Sequence, residues 1–157
     1  MNNKNQKKGF TLIEVLLVIG IIAILADVVI IAINPAKQLA QARNAQRWSN
    51  VNTILNAVHQ YAVDNRGILP VGITTTAKEI CNTPTVASSS CASFANLWEL
   101  TLNESYLTAL PKDPSCPGAN CDANGIGYQI VQSVNGRVTV MVPTSSRELG
   151  EIISVTR

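Results

Sequence analysis

Residues 7–16 read KKGFTLIEVL: two lysines, a glycine, a phenylalanine, then an apolar run that carries a carboxylate, Glu14, close to its start. The run extends from Phe10 to Ile33, and Glu14 and Asp27 are its only ionisable groups. As a helix it would be roughly 36 Å long at 1.5 Å per residue, longer than the ~30 Å hydrocarbon core of a bilayer. A tilted membrane span is therefore expected over residues 10–33, followed by a polar, mixed-composition domain. A carboxylate in hydrocarbon costs several kcal/mol unless it is paired or protonated. No Lys, Arg or His stands inside the run to pair with it.

The net charge of +2 is unevenly divided. Lys4, Lys7 and Lys8 precede the run, and residues 10–157 hold nine basic against ten acidic groups. That body has no basic stripe suited to nucleic acid. A basic flank predicts an amino terminus kept in the cytoplasm and a carboxyl-terminal domain outside. Lys37, Arg43 and Arg47 on the far side oppose that bias. The four cysteines, at 81, 91, 116 and 121, all fall in the outer domain, where an even count predicts two disulfides. Three connectivities are possible, of which the sequential one, Cys81–Cys91 with Cys116–Cys121, closes two short loops and is preferred. The spacings match no common zinc pattern, and His59 stands far from them.

Along the chain, residues 1–9 form a basic leader without expected structure. Asn34-Pro35 interrupts the apolar helix, because proline lacks the amide hydrogen that would bond the carbonyl of Ile31. Helix resumes from about Ala36 to Asn65, with Trp48, Val51, Leu55, Val58 and Ala62 spaced as one apolar stripe. Gln41, Asn44, Asn52, Asn56 and Gln60 lie off that stripe and are expected to face water. Asn65-Arg66-Gly67 stops the helix. Residues 67–96 read as a stapled connecting loop, and 94–107 as holding a short helix. Gly127–Ser133 and Arg137–Val142 are expected strands around the turn signal Asn135-Gly136, with Ile152–Thr156 a third strand. The expected fold class is α+β: a long amino-terminal helix, half membrane span and half amphipathic, packed on a small antiparallel sheet. The expected divisions are 1–9 leader, 10–33 apolar helix, 34–66 amphipathic helix and 67–157 disulfide-stapled loops and sheet.

Gly9-Phe10-Thr11-Leu12-Ile13-Glu14 after a short basic leader resembles the processing site of type IV pilins and of the pseudopilins of type II secretion. The resemblance covers residues 1–33 closely and the rest through architecture. It implies that a prepilin peptidase cuts between Gly9 and Phe10 and methylates the new amino terminus of Phe10. Glu14 would then be the fifth residue of the mature chain. The freed amine of one subunit could meet Glu14 of another, which favours correct register over a lone subunit. The resemblance further implies a helical homo-oligomeric filament, assembly machinery and a single-pass inner-membrane precursor. The mature form would sit in an extracellular or periplasmic fibre. The chain departs from the pattern in two places. The family's proline near mature position 22 is Ile31 here, with Pro35 four residues later, and Asp27 interrupts a span that is normally apolar. Asp27 is either a second assembly group or a tolerated polar residue near the end of the span.

Other chemistry is sparse. Ser88-Ser89-Ser90 reads as loop rather than as a nucleophile elbow. Asp113 and Asp122 bracket the second cysteine pair, and Asp122-Ala123-Asn124-Gly125 resembles the start of a calcium loop but lacks its closing ligands. A turn explains those residues better. The expectation is a structural subunit, not an enzyme, with no cofactor and no nucleic-acid partner. A type IV pilus acting in adhesion, motility or DNA uptake is the first reading, because two disulfides suit an exposed fibre. A major pseudopilin is the second. The rival from another class is a monomeric binding domain on a plain signal anchor. A cleaved secretory signal fits poorly, because the apolar core is too long and no A-x-A stands at its end.

Overall fold

The computed structural model describes residues 9–81, 91–116, 121 and 124–157. The chain divides into two compact units, Met1–Gln38 and Leu39–Arg157. In the first, helix α1 runs Leu12–Ile33. Thr11 caps it: the residue is extended (φ −82°, ψ 150°) and its side chain accepts from the Glu14 amide at 3.3 Å. No residue of α1 is buried.

Asn34 does two jobs. It ends α1 in the left-handed region (φ 49°), a conformation Asn tolerates better than most residues. Its Oδ1 then accepts from the Lys37 amide at 3.3 Å, so the same residue caps the next helix. Pro35 occupies the first position of helix α2 (Pro35–Asp64), where a missing amide hydrogen leaves nothing unsatisfied. The expected interruption is thus a clean stop and restart. The stop at the other end comes from Arg66 and Gly67, both at positive φ.

The second unit packs the buried face of α2 on a four-stranded antiparallel sheet in the order β1-β2-β3-β4: β1 Lys78–Cys81, β2 Gly125–Gln132, β3 Val138–Met141 and β4 Ser154–Thr156. Val51, Ile54, Leu55 and Val58 from the helix meet Tyr128, Ile130, Val138 and Val140 from the sheet in one core, with Ile80, Leu97 and Leu100. Each of these large apolar side chains contributes about 1.5–3 kcal/mol on burial. β3 alternates buried Val138 and Val140 with half-buried Thr139 and Met141, the period-two pattern of a sheet with one covered face. The β2–β3 connection is a three-residue loop. Ser133 N–H donates to Arg137 O (2.7 Å), Gly136 N–H donates to Ser133 O (2.9 Å), and Gly136 alone takes positive φ (82°). This is a glycine-bulge turn rather than a two-residue one.

The sheet departs from expectation in its first strand. Lys78–Cys81, read as loop, is a strand paired with β2, with a register shift between Glu79 and Cys81. The short helix expected in 94–107 is α3 (Trp98–Thr101), followed by one 3₁₀ turn at Leu102–Glu104. The extended backbone of Leu102 (φ −62°, ψ 121°) ends the α-helix, and Asn103 and Glu104 follow at φ of 52° and 56°.

Gly127 of β2 is constrained both by its backbone conformation and by its neighbours. Its φ is 82°, and a Cβ would lie 2.7 Å from Asp113 Cβ and 2.9 Å from Cys121 Sγ. Left-handed strain and overpacking each cost of order 1–3 kcal/mol. Gly127→Ala is therefore expected to destabilise the protein by about 2–4 kcal/mol. Guanidinium unfolding of the detergent-solubilised chain measures this, and an unchanged midpoint contradicts it.

Candidate functional site

At the amino-terminal edge of α1 the residues singled out by sequence lie together and in the open. Gly9 and Phe10 precede the helix; Phe10 is 83% exposed, and nothing lies within 4 Å of where a Gly9 side chain would start. Glu14 sits in the first turn, three residues after the cap. Thr11-x-x-Glu14 has the capping-box spacing, a feature not singled out from the sequence. The Thr11 half of the box is formed. The positive end of the helix dipole favours an anion here by about 0.3–1 kcal/mol. That is less than the several kcal/mol a carboxylate costs in hydrocarbon, so local capping alone does not account for Glu14. Among the described residues its carboxylate has no cation or hydrogen-bond partner. Phe10, Glu14, Val15, Val18 and Ile19 line an open apolar recess of about 330 Å³ along this face.

Asp27 stands further along α1, likewise exposed and without a partner among the described residues. The cysteines lie in the other unit. Cys81 is bonded to Cys91 with Cα atoms 5.6 Å apart, and Cys116 to Cys121 at 5.8 Å. Of the two aspartates considered for calcium, Asp122 lies outside the described residues, and both Asp113 oxygens are engaged by Arg47. Among the described residues no group of three metal-ligating side chains occurs.

The structure shows a buried polar cluster that the apolar stripe did not reveal. The buried face of α2 continues upstream of Val51 through Arg47, Asn44 and Ala40 at helical spacing. Asn44, expected to face water, is 2% exposed. Arg47 is fully buried and all five of its N–H groups are used. Nε and Nη2 donate to the two Asp113 oxygens (2.6 and 3.1 Å), and Nη2 also to Ser115 Oγ (2.8 Å). Nη1 donates to Asn44 Oδ1 (2.9 Å) and Glu148 Oε2 (2.7 Å). Arg43 reaches Glu148 from outside through Nε (2.8 Å). Asn44 and Trp48 donate to Glu151 at 2.7 and 2.8 Å. Asn50 donates to Lys112 O and to the Tyr128 hydroxyl. One helix face thus fixes the 112–115 loop and the 148–151 segment.

The charges respond accordingly. Hydrogen bonds from Arg43, opposed by burial and reinforced by Arg47, hold the Glu148 carboxyl below its ordinary range. Burial opposes the charge on Arg47, but the bonds to Asp113 and Glu148 outweigh it and its pKa rises. Burial pushes the Tyr128 hydroxyl up to about 12, against the Asn50 hydrogen bond, so it stays neutral.

Residues 4–26 match the family model of the prokaryotic N-terminal methylation motif. No curated protein and no solved structure matches the chain at a significant level. The chain therefore carries the signature of type IV pilins and pseudopilins on a pilin-like α+β architecture. α1 is long and apolar enough to cross a membrane, which fits a membrane-anchored precursor.

Removing one partner of a buried ion pair costs about 3–5 kcal/mol. Arg47→Ala is expected to lose that much, read as a lowered guanidinium midpoint. The folded-state pKa of Glu148 lies below its unfolded value, so its contribution is fully present above the ordinary glutamate range. It is lost as pH falls from about 4.5 through the lowered value. Glu148→Gln should flatten that part of the stability-against-pH curve, and a parallel curve contradicts the assignment.

Proposed function

We propose that this chain is the precursor of a structural filament subunit of the type IV pilus kind. A prepilin peptidase cuts it between Gly9 and Phe10 and methylates the Phe10 amine. The mature chains then polymerise, with Glu14 of one copy meeting the Phe10 amine of another. The observation that carries this reading is Glu14 itself: an acid on a wholly exposed apolar helix, with no counter-charge among the described residues. Cleavage makes the missing cation, and a neighbouring copy brings it into the recess beside Glu14. The same helix is held in lipid before assembly and among its copies afterwards, two environments that both suit a segment apolar all round.

In this reading the leader stays in the cytoplasm and the sheet-bearing unit lies outside, consistent with the lysine-rich flank. The two disulfides suit a surface fibre. The subunit has no catalytic duty. A secretion defect without surface fibres in a deletion strain would point to a major pseudopilin instead.

Mass spectrometry of the mature protein is the direct test. The expected species begins at Phe10 and carries one added methyl group; a chain still starting at residue 1 supports a monomeric signal-anchored domain and ends the proposal. Gly9→Val is expected to leave uncut precursor in the membrane. Glu14→Ala is expected to be cut normally but to yield at least about tenfold fewer fibres by electron microscopy, the counterpart of ~1.4 kcal/mol or more. Normal fibre yield removes Glu14 from assembly.

A further inference from the structure

Asp27 poses the problem of Glu14 again, and cleavage creates only one new amine per chain. The two acids are thirteen residues apart in α1. At 3.6 residues per turn they point about 140° apart around the helix axis. A neighbour seated on the Glu14 face therefore does not cover Asp27, and the second acid needs a different copy and a different cation.

The first cation after the apolar segment is Lys37. It is exposed, and its ammonium has no partner among the described residues. It sits in the first turn of α2, just past the Asn34 cap, where the helix dipole disfavours a positive charge. Arg43 and Arg47 are already committed to Glu148 and Asp113. Unit Met1–Gln38 thus presents, at Asp27 and Lys37, one acid without a cation and one cation without an acid.

We propose that Asp27 of one copy pairs with Lys37 of a second copy displaced along the helix axis, giving the filament a second interchain ion pair with its own stagger. This rests on the filament reading above. The two pairs need staggers of different length. Glu14 meets the amine of a copy shifted four residues towards the carboxyl end, about 6 Å. Lys37 meets the Asp27 of a copy shifted by a longer stagger, ten residues or roughly 15 Å, adjusted by the non-helical turn at Asn34. The lysine arm shortens this distance because it leans towards the amino end of its helix. One polar, parallel array satisfies both acids through two different neighbours.

The test is a mutant cycle on assembled fibres. A buried pair that loses one partner is strongly penalised, whereas losing both is tolerated. Lys37→Gln is expected to cut fibre yield at least tenfold, and adding Asp27→Asn to recover most of it. Fully additive effects overturn the proposal, and so does a Lys37 that serves only anionic lipid headgroups, because it shows no coupling to Asp27. Asp27→Cys/Lys37→Cys gives an independent readout: mild oxidation of fibres is expected to produce a ladder of linked subunits on a non-reducing gel. Intact fibres that yield only monomers reject the pairing and leave the filament reading standing. Unsubstituted protein that forms no fibres and retains residue 1 removes both.

Discussion

The second unit, Leu39–Arg157, depends on a single guanidinium. Arg47 lies fully inside it and commits every N–H to a named acceptor, from Asp113 and Ser115 on one side to Asn44 and Glu148 on the other. Neither the 112–115 loop nor the 148–151 segment forms a helix or strand of its own. The helix holds them by polar contacts, and those contacts demand one geometry, because a fork of five donors cannot slide by a residue without leaving charges unmatched. Apolar residues of equal volume could bind as strongly. They would not fix where the loop ends.

The two units treat charge in opposite ways. Around Arg47 the charges of Arg43, Arg47, Asp113 and Glu148 answer one another within the chain. On α1 two acids stand on an apolar surface with nothing to answer them among the described residues. A chain that stayed alone would keep that imbalance for its lifetime. The contrast places matched charge in one part of the molecule and unmatched acids in the other.

Periodicity explains what could be read from sequence. The apolar helix, the Asn34-Pro35 break, the stripe through Val51, Leu55 and Val58, and the hairpin around Gly136 each have a local cause that one stretch of chain reveals. The polar upstream half of the buried α2 face has no such signature: Asn44 and Arg47 look solvent-facing until Asp113 and Glu148, more than sixty residues away, are brought beside them. β1 was hidden for the same reason. Its four residues become a strand through pairing with β2, and Glu79 reaches across to accept from the Gly127 amide at 2.8 Å. The short helix after Leu97 is cut off by the extended backbone of Leu102, which composition does not announce. At the amino-terminal site the residues were legible but one local role was not: Thr11 and Glu14 also open their own helix.

The β2–β3 loop closes through backbone bonds and one glycine, and Val134 at its apex is 93% exposed. Nothing in the core leans on that apex. Because closing a longer loop costs only about 0.6 kcal/mol for each doubling of its length, the hairpin tip is a tolerant graft point. A foreign epitope carried there would leave the sheet and the Arg47 clamp intact, and each assembled subunit would display its own copy.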